Sequence, residues 1–402
     1  MAHPKWTALG SRKSGKVHGT HTMRVERHVA YHSCDVTGGH SPSGQARNAR
    51  QLWHFPAVRC RLFSLCGAVL MSASLGGCAD FPEIRVQMGA GDRATAQRFV
   101  SMIAADEPEA GRIAEAVLAD GGNAADAATA LGLALAVTLP SSASLDAQGA
   151  CLVHDGAART TEALDFSSGT SARGLRALHA KYGRQPWPQV VAPSEKLARF
   201  GYRVSRAFAQ DLAGSGAILT GDARALTMFM TPQRHMAQAG DTLTQAALAT
   251  VLAQLREHVA EGGGVEDAPR WSVPDMKEEK GGRVYALRHT GDSEGATSGM
   301  TGFVVGDTQG SAVACVLSMG KPFGAGHVNT AGILQAMRGS QALEASLGVA
   351  GDQRLRFAAT GDLPRSARLV NVIRCADATD TCQAESDPRG SGYAYTAPVR
   401  GN

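Results

Sequence analysis

The chain has 402 residues, of which 44% are hydrophobic, 5% aromatic and 19% charged, enough apolar material for a packed core and too much for a wholly disordered chain. Its formal net charge of +4 is unevenly spread: residues 1–57 hold eight Lys/Arg against Glu26 and Asp35, and Arg59 and Arg61 add two more charges. Removing that excess of eight leaves 79–402 at −4, which excludes a broad nucleic-acid or anionic-membrane surface on the body of the protein.

Residues 1–57 combine seven of the thirteen histidines with scattered Gly and Ser and no apolar period. They read as an over-extended start or a disordered extension. His18, His21, His28, His32 and Cys34 do not make a complete four-ligand set, and neither a metal nor another cofactor is expected. From Arg59, RCRLFSLCGAVLMSASLGGC presents two arginines, about a dozen apolar residues and a small-residue exit, the pattern of an export signal too short to span a bilayer. Its ending LGGC (75–78) resembles a bacterial lipoprotein box, in which Cys78 would become the lipidated first residue. Residues 58–78 are therefore expected to be a signal peptide, with translation beginning near Val58. Residues 79–402 would form one exported domain, periplasmic or held to the outer membrane by the lipid on Cys78.

In the body, DEPEAGRIAEAVLADGG (106–122) reads as a helix with acidic residues in its first turn and Gly121-Gly122 as its stop. NAADAATALGLALAVTLP restarts at Asn123 as an N-cap and is apolar almost all round, which predicts a buried helix. ACLVHDG and TTEALDF follow as short strands around a turn, then a helix over 172–182 and helical patterns in GYRVSRAFAQDL and LTQAALATVLAQLREHVAEGGG. From 261 to 299 Gly, Glu, Lys and Asp dominate, with Trp271 as an aromatic anchor, and the stretch reads as a linker or flexible loop. TGFVVGD, GSAVACVLSM, GILQAM, LRFAAT and ARLVNVIRC then predict β-rich material. An oxidising compartment permits disulfides: Cys375 and Cys382 flank a polar tip and would staple a hairpin, whereas Cys151 and Cys315 lie in apolar runs and read as buried thiols. Asp126 and Asp307 read as cap and turn residues, and His154, His179 and His327 as structural.

DGGNAADAATALGLALAVTLP (120–140) resembles the signature of the gamma-glutamyltransferase (gamma-glutamyltranspeptidase, glutathione hydrolase) family, a GGNA-DAA run on a buried helix. EALDF (162–166), KYGRQPWPQVVAPSEKLARFGYRVS (181–205), AGDTLTQAALATVL (239–252), GFVVGDTQGSAV (302–313), KPFGAGHVNTAGIL (321–334) and ESDPRGSGY (385–393) follow in family order. The resemblance implies an α+β fold, a four-layer αββα sandwich of the N-terminal-nucleophile hydrolase type. It also implies a precursor that cuts itself to expose a threonine nucleophile at the start of a central strand. A threonine hydroxyl is a weak nucleophile alone, but an α-amine of pKa about 8 can accept its proton at neutral pH.

Thr301, ahead of GFVVGD, is the candidate nucleophile, dividing the domain into large-subunit-like 79–300 and small-subunit-like 301–402. Ungapped matching on Asp307 and GSAV (310–313) instead puts Met300 at the nucleophile and Thr301 at the family's second threonine. A one-residue deletion between Thr301 and Phe303 restores Thr301. The oxyanion donors best match Thr360 and Gly361. Where the family holds the glutamyl carboxylate with an Arg after Asp-Phe, this chain has Ser167; where acidic residues hold the amine, Met337 is followed by Arg338 and Gly339. Arg389 could brace the cleft. Two readings follow: an exported enzyme acting on a γ-glutamyl or related small amide, or a catalytically degenerate envelope lipoprotein that uses the scaffold for binding.

Overall fold

The computed structural model describes residues 100–257, 268–279, 281–289, 299–339, 343–360, 370–375, 382–387 and 392–398, all within a compact unit spanning 87–402. The N-terminal extension, the export signal with Cys78, and the candidates Gly361 and Arg389 lie outside the described residues.

The described chain enters on strand β1 (Met102–Ala105), turns through Asp106 and Glu107, and continues into helix α1 (Pro108–Ala119). Glu107, not Asp106, starts this helix: its side chain accepts from the Ala110 N–H, and Pro108 occupies the first helical position. Asp106 therefore lies ahead of the helix rather than in its first turn. Helix α2 (Ala124–Thr138) opens on a reciprocal capping box between Asn123 and Asp126, and every one of its residues is buried, as a helix apolar on all sides must be. Strands β2 (Gln148–Asp155) and β3 (Thr160–Asp165) form a hairpin. Helices α3 (Ser171–Tyr182) and α4 (Trp187–Phe200) then pack on α2, and Gly132 lets Leu175 approach where a Cβ would meet its Cδ1 at 2.8 Å. After the two-residue strand β4 (Tyr202–Arg203) come α5 (Arg206–Ser215) and α6 (Ala223–Met228), then β5 (Thr242–Leu243), paired with β4, and α7 (Ala246–Glu257).

Strands make up the rest: β6 (Arg270–Ser272), β7 (Asp275–Glu279), β8 (Gly282–His289), β9 (Met300–Gly306), β10 (Ala312–Ser318), β11 (Leu343–Ala350), β12 (Leu355–Thr360), β13 (Asn371–Cys375), β14 (Cys382–Glu385) and β15 (Tyr393–Thr396). They build two antiparallel sheets, a seven-stranded one in the order β15-β1-β9-β10-β2-β3-β6 and a six-stranded one in the order β14-β13-β12-β11-β8-β7. Met102, Ala104, Leu152, Val304 and Ala314 of the first sheet meet Ala345, Leu347, Ala358 and Ile373 of the second, forming an inter-sheet core. The opposite face of the first sheet, with Phe303, Val305 and Val313, packs beneath α2. The fold is thus α+β. All the described helices precede β6, and the strands that α1, α2 and α3 rest on belong to the first sheet.

Three expectations change. The stretch 261–299 supplies β6, β7 and β8 rather than only a linker; β7 is exposed along its length, so its residues DMKEE carry no apolar alternation, and backbone pairing to β8 alone defines it. GILQAM forms no strand, only an isolated bridge between Val328 and Leu334. Cys151 and Cys315 are not free thiols: the β2–β10 register sets them directly opposite each other, with Cα atoms 4.1 Å apart, and they form a disulfide. Cys375 and Cys382 form a second, opposed across β13 and β14.

Candidate active site

Strand β9 begins just after Gly299, whose φ of +85° turns the chain into the first sheet. Its pairing with β10 runs without a break from Met300–Ser318 to Gly306–Ala312. Strand alternation turns Met300, Gly302 and Val304 toward the second sheet and Thr301, Phe303 and Val305 to the other side. On the opposite flank the β1–β9 ladder stops at Ala105–Phe303, so the Gly302 N–H has no strand partner there.

The Asp106 carboxylate takes that vacant place. Its Oδ2 accepts from the Gly302 N–H at 3.1 Å and from the Thr301 hydroxyl at 2.9 Å. Its Oδ1 accepts from Asn371 Nδ2 at 2.7 Å, and Asn371 also donates to the Gly302 carbonyl at 2.8 Å. Asn371 stands on β13, so this cluster ties β9 of the first sheet to the second sheet. Thr360 lies directly over Gly302: a Cβ at Gly302 would sit 2.3 Å from the Thr360 hydroxyl oxygen. Asp106, Thr301, Thr360 and Asn371 are all buried.

Burial pushes the Asp106 carboxyl above its ordinary range; the hydrogen bonds from Asn371, Gly302 and Thr301 pull the other way, and Asp387 adds to the rise. Thr301 thus has a proton acceptor in contact with its hydroxyl. Two buried polar atoms of the cluster, Thr360 Oγ1 and Asn371 Oδ1, have no hydrogen-bond partner among the described residues. A buried polar group left so costs desolvation, and catalytic sites are among the places where it occurs.

Ser167 and Arg338 gather at the same end of the first sheet. Met300 pairs with Ser318, Ser318 pairs with Gln148, and Gln148 donates to the Ser167 carbonyl, which places Gln148 about 10 Å across the sheet from Met300. Arg338 donates to Asp146 Oδ1 at 2.6 Å and to the Gly169 carbonyl, two residues beyond Ser167. Its guanidinium is therefore held in an ion pair. Asp126 and Asp307 serve backbone N–H groups, those of Asn123, Arg184 and Gln185 for the first and those of Ala124, Gln309 and Ser311 for the second. His154 bonds Thr161, and His179 bonds the Gln185 carbonyl. His327 bonds the carbonyl of Ala325. Among the described residues no group of three His, Cys, Asp or Glu could hold a metal ion.

The Gamma-glutamyltranspeptidase family model matches residues 110–172 and 169–262. Over these residues the chain resembles the gamma-glutamyltranspeptidase family. It is similar to the Glutathione hydrolase proenzyme of Escherichia coli strain K12, 31% identical over 190 residues, which covers 39% of this chain and 32% of that protein. It is 28% identical over 188 residues to the Glutathione hydrolase proenzyme of Bacillus subtilis strain 168, again covering 39% and 32%. The match thus spans about a third of the length of these relatives. In three dimensions the chain is similar to the cephalosporin acylase of Bacillus halodurans, with a TM-score of 0.61 at 14% identity, covering 75% of this chain and 97% of that one. That likeness concerns the fold. It covers a larger share of the chain than the family model matches.

Neither Asp106 nor Asn371 stands out in the sequence. Asp106 passes for one more acidic residue near a helix start, and Asn371 for a polar residue at a strand edge.

Proposed function

We propose that the protein is an exported N-terminal-threonine amidohydrolase of the gamma-glutamyltranspeptidase type, which cleaves itself before Thr301 and then uses Thr301 to hydrolyse or transfer the acyl group of a γ-glutamyl or related small amide. The observation that carries this reading is the hydrogen bond from the Thr301 hydroxyl to the buried Asp106 carboxylate at the start of β9. That contact sets a buried carboxylate against the hydroxyl of the candidate nucleophile, within proton-transfer reach.

In the cleaved form the Thr301 α-amine would take the hydroxyl proton while Oγ1 attacks the amide carbonyl. The resulting ester would pass to water or to an acceptor amine. Thr360, beside Gly302, is the described group best placed to donate to the oxyanion. Ser167 and the paired Arg338 replace the family's charged anchors, so selectivity for the glutamyl head group should be much weaker, by the several kcal/mol that a buried charge contact supplies. The fold would be the αββα sandwich of N-terminal-nucleophile hydrolases. Two disulfides in the body support an oxidising compartment and hence export, with anchoring through Cys78 where lipidation occurs. Among the described residues no helix is long and apolar enough to cross a membrane.

A second reading, an uncut binding lipoprotein, is favoured by Met300: it holds the nucleophile's place in the ungapped match and is turned toward Ala150, Val316 and Leu343 between the sheets. Intact mass separates the two. Wild type should yield two pieces meeting at Met300/Thr301, and Thr301→Ala a single chain. An uncut wild type after prolonged incubation would overturn the enzyme reading in favour of the scaffold.

A further inference from the structure

The reading of Thr301 as a self-cleaving residue leaves open what removes its proton before any α-amine exists. In the uncut chain the Thr301 nitrogen is an amide and cannot act as the base. We propose that Asp106 is that base, the residue that accepts the Thr301 hydroxyl proton in the self-cleavage step; this inference rests on the reading above.

Asp106 Oδ2 is 2.9 Å from Thr301 Oγ1, within proton-transfer reach. The carboxylate is held on two sides besides: Gly302 N–H shares Oδ2, and Asn371 Nδ2 holds Oδ1, fixing the plane of the group across the two sheets. Its position follows from the fold, because β1 ends one residue earlier and Asp106 continues into the gap that the β1–β9 ladder leaves beside Gly302. Burial supports the role, since a carboxyl raised above its ordinary range is a stronger base once ionised.

The step balances without an external reagent other than water. The Thr301 Oγ–H proton passes to Asp106 Oδ2 as Oγ1 bonds to the Met300 carbonyl carbon. The bond from that carbon to the Thr301 nitrogen breaks, and the proton on Asp106 passes to the leaving nitrogen, which becomes the free α-amine. Water then hydrolyses the ester, giving a Met300 carboxylate and restoring the Thr301 hydroxyl. Asn371 is a positioning residue in this scheme.

The test follows self-cleavage of the full chain after cell-free synthesis under oxidising conditions, by intact mass against time, for wild type, Asp106→Asn and Thr301→Ala. Asp106→Asn keeps the size of the side chain and one acceptor oxygen, and its folding is checked by circular dichroism and by formation of the Cys151–Cys315 disulfide. Cleavage should slow by ~100-fold or more in Asp106→Asn, the loss expected for a general base. The wild-type rate should also rise with pH through the ionisation of Asp106, at a pH displaced above the usual value of about 4 by burial and by the facing Asp387. Thr301, Gly302 and Asn371, the other groups in contact, are neutral. That rise should vanish in Asp106→Asn. Wild type that cuts with a flat profile below neutral pH, or that cuts no faster than a folded Asp106→Asn, overturns the inference and leaves the enzyme reading standing. Wild type that never cuts overturns both. The wild-type profile alone decides the matter if Asp106→Asn does not fold.

Discussion

Thr301 and Asp106 are separated by 195 residues and meet because β1 and β9 are neighbours in the first sheet. The local sequence around Thr301 marks a hydroxyl ahead of a strand, and nothing in it indicates which residue the hydroxyl would face. Gly302 shows the same dependence on distant chain. A side chain there would run into Thr360, so Gly302→Ala should destabilise the fold by about 1–3 kcal/mol in a urea titration, the cost of overpacking a closed site. Thr360→Val separates stability from chemistry. It removes a buried hydroxyl that has no partner among the described residues, so stability should hold or rise by about 1 kcal/mol. If Thr360 donates to the oxyanion, acyl transfer should fall by ~10²–10³-fold in the same variant. Unchanged turnover in a stable Thr360→Val protein would remove Thr360 from the site.

Helix α2 is the element most plainly written in the chain, because its N-cap, its capping box and its unbroken apolar surface are local features that agree with one another. Asp126 extends this cap into tertiary structure by also accepting from the N–H groups of Arg184 and Gln185. Asp126→Ala would strip acceptors from the N–H groups of Asn123, Arg184 and Gln185 together. The expected loss is about 3 kcal/mol, more than a helix cap alone, as a fall in the urea midpoint at constant slope. Strands β9, β10 and β12 are also legible, since burial on both faces or at a sheet interface makes them short apolar runs. Strands β6 and β7 are not. Their residues are mostly exposed, so the periodicity that betrays a strand is missing, and their partners' backbone hydrogen bonds define them.

At the scale of the molecule the two disulfides are cross-strand links, one on the helix-covered sheet and one at a hairpin of the second sheet. Under non-reducing, denaturing conditions none of Cys151, Cys315, Cys375 and Cys382 should react with an alkylating agent, and all four should do so after reduction. Losing the Cys151–Cys315 link, which joins residues 164 apart, should cost about 4–5 kcal/mol through the freedom returned to the unfolded chain. Material made under reducing conditions should therefore melt at a clearly lower temperature. The sequence by itself determined the family resemblance, the buried helix, the central strands and the candidate threonine, because each rests on residues close together in the chain. Only the tertiary structure decided that Cys151 faces Cys315, that Arg338 is held by Asp146, and that Asp106 and Asn371 surround Thr301. Those relations depend on strand order and register, which residues far apart settle together through shared backbone pairing and burial.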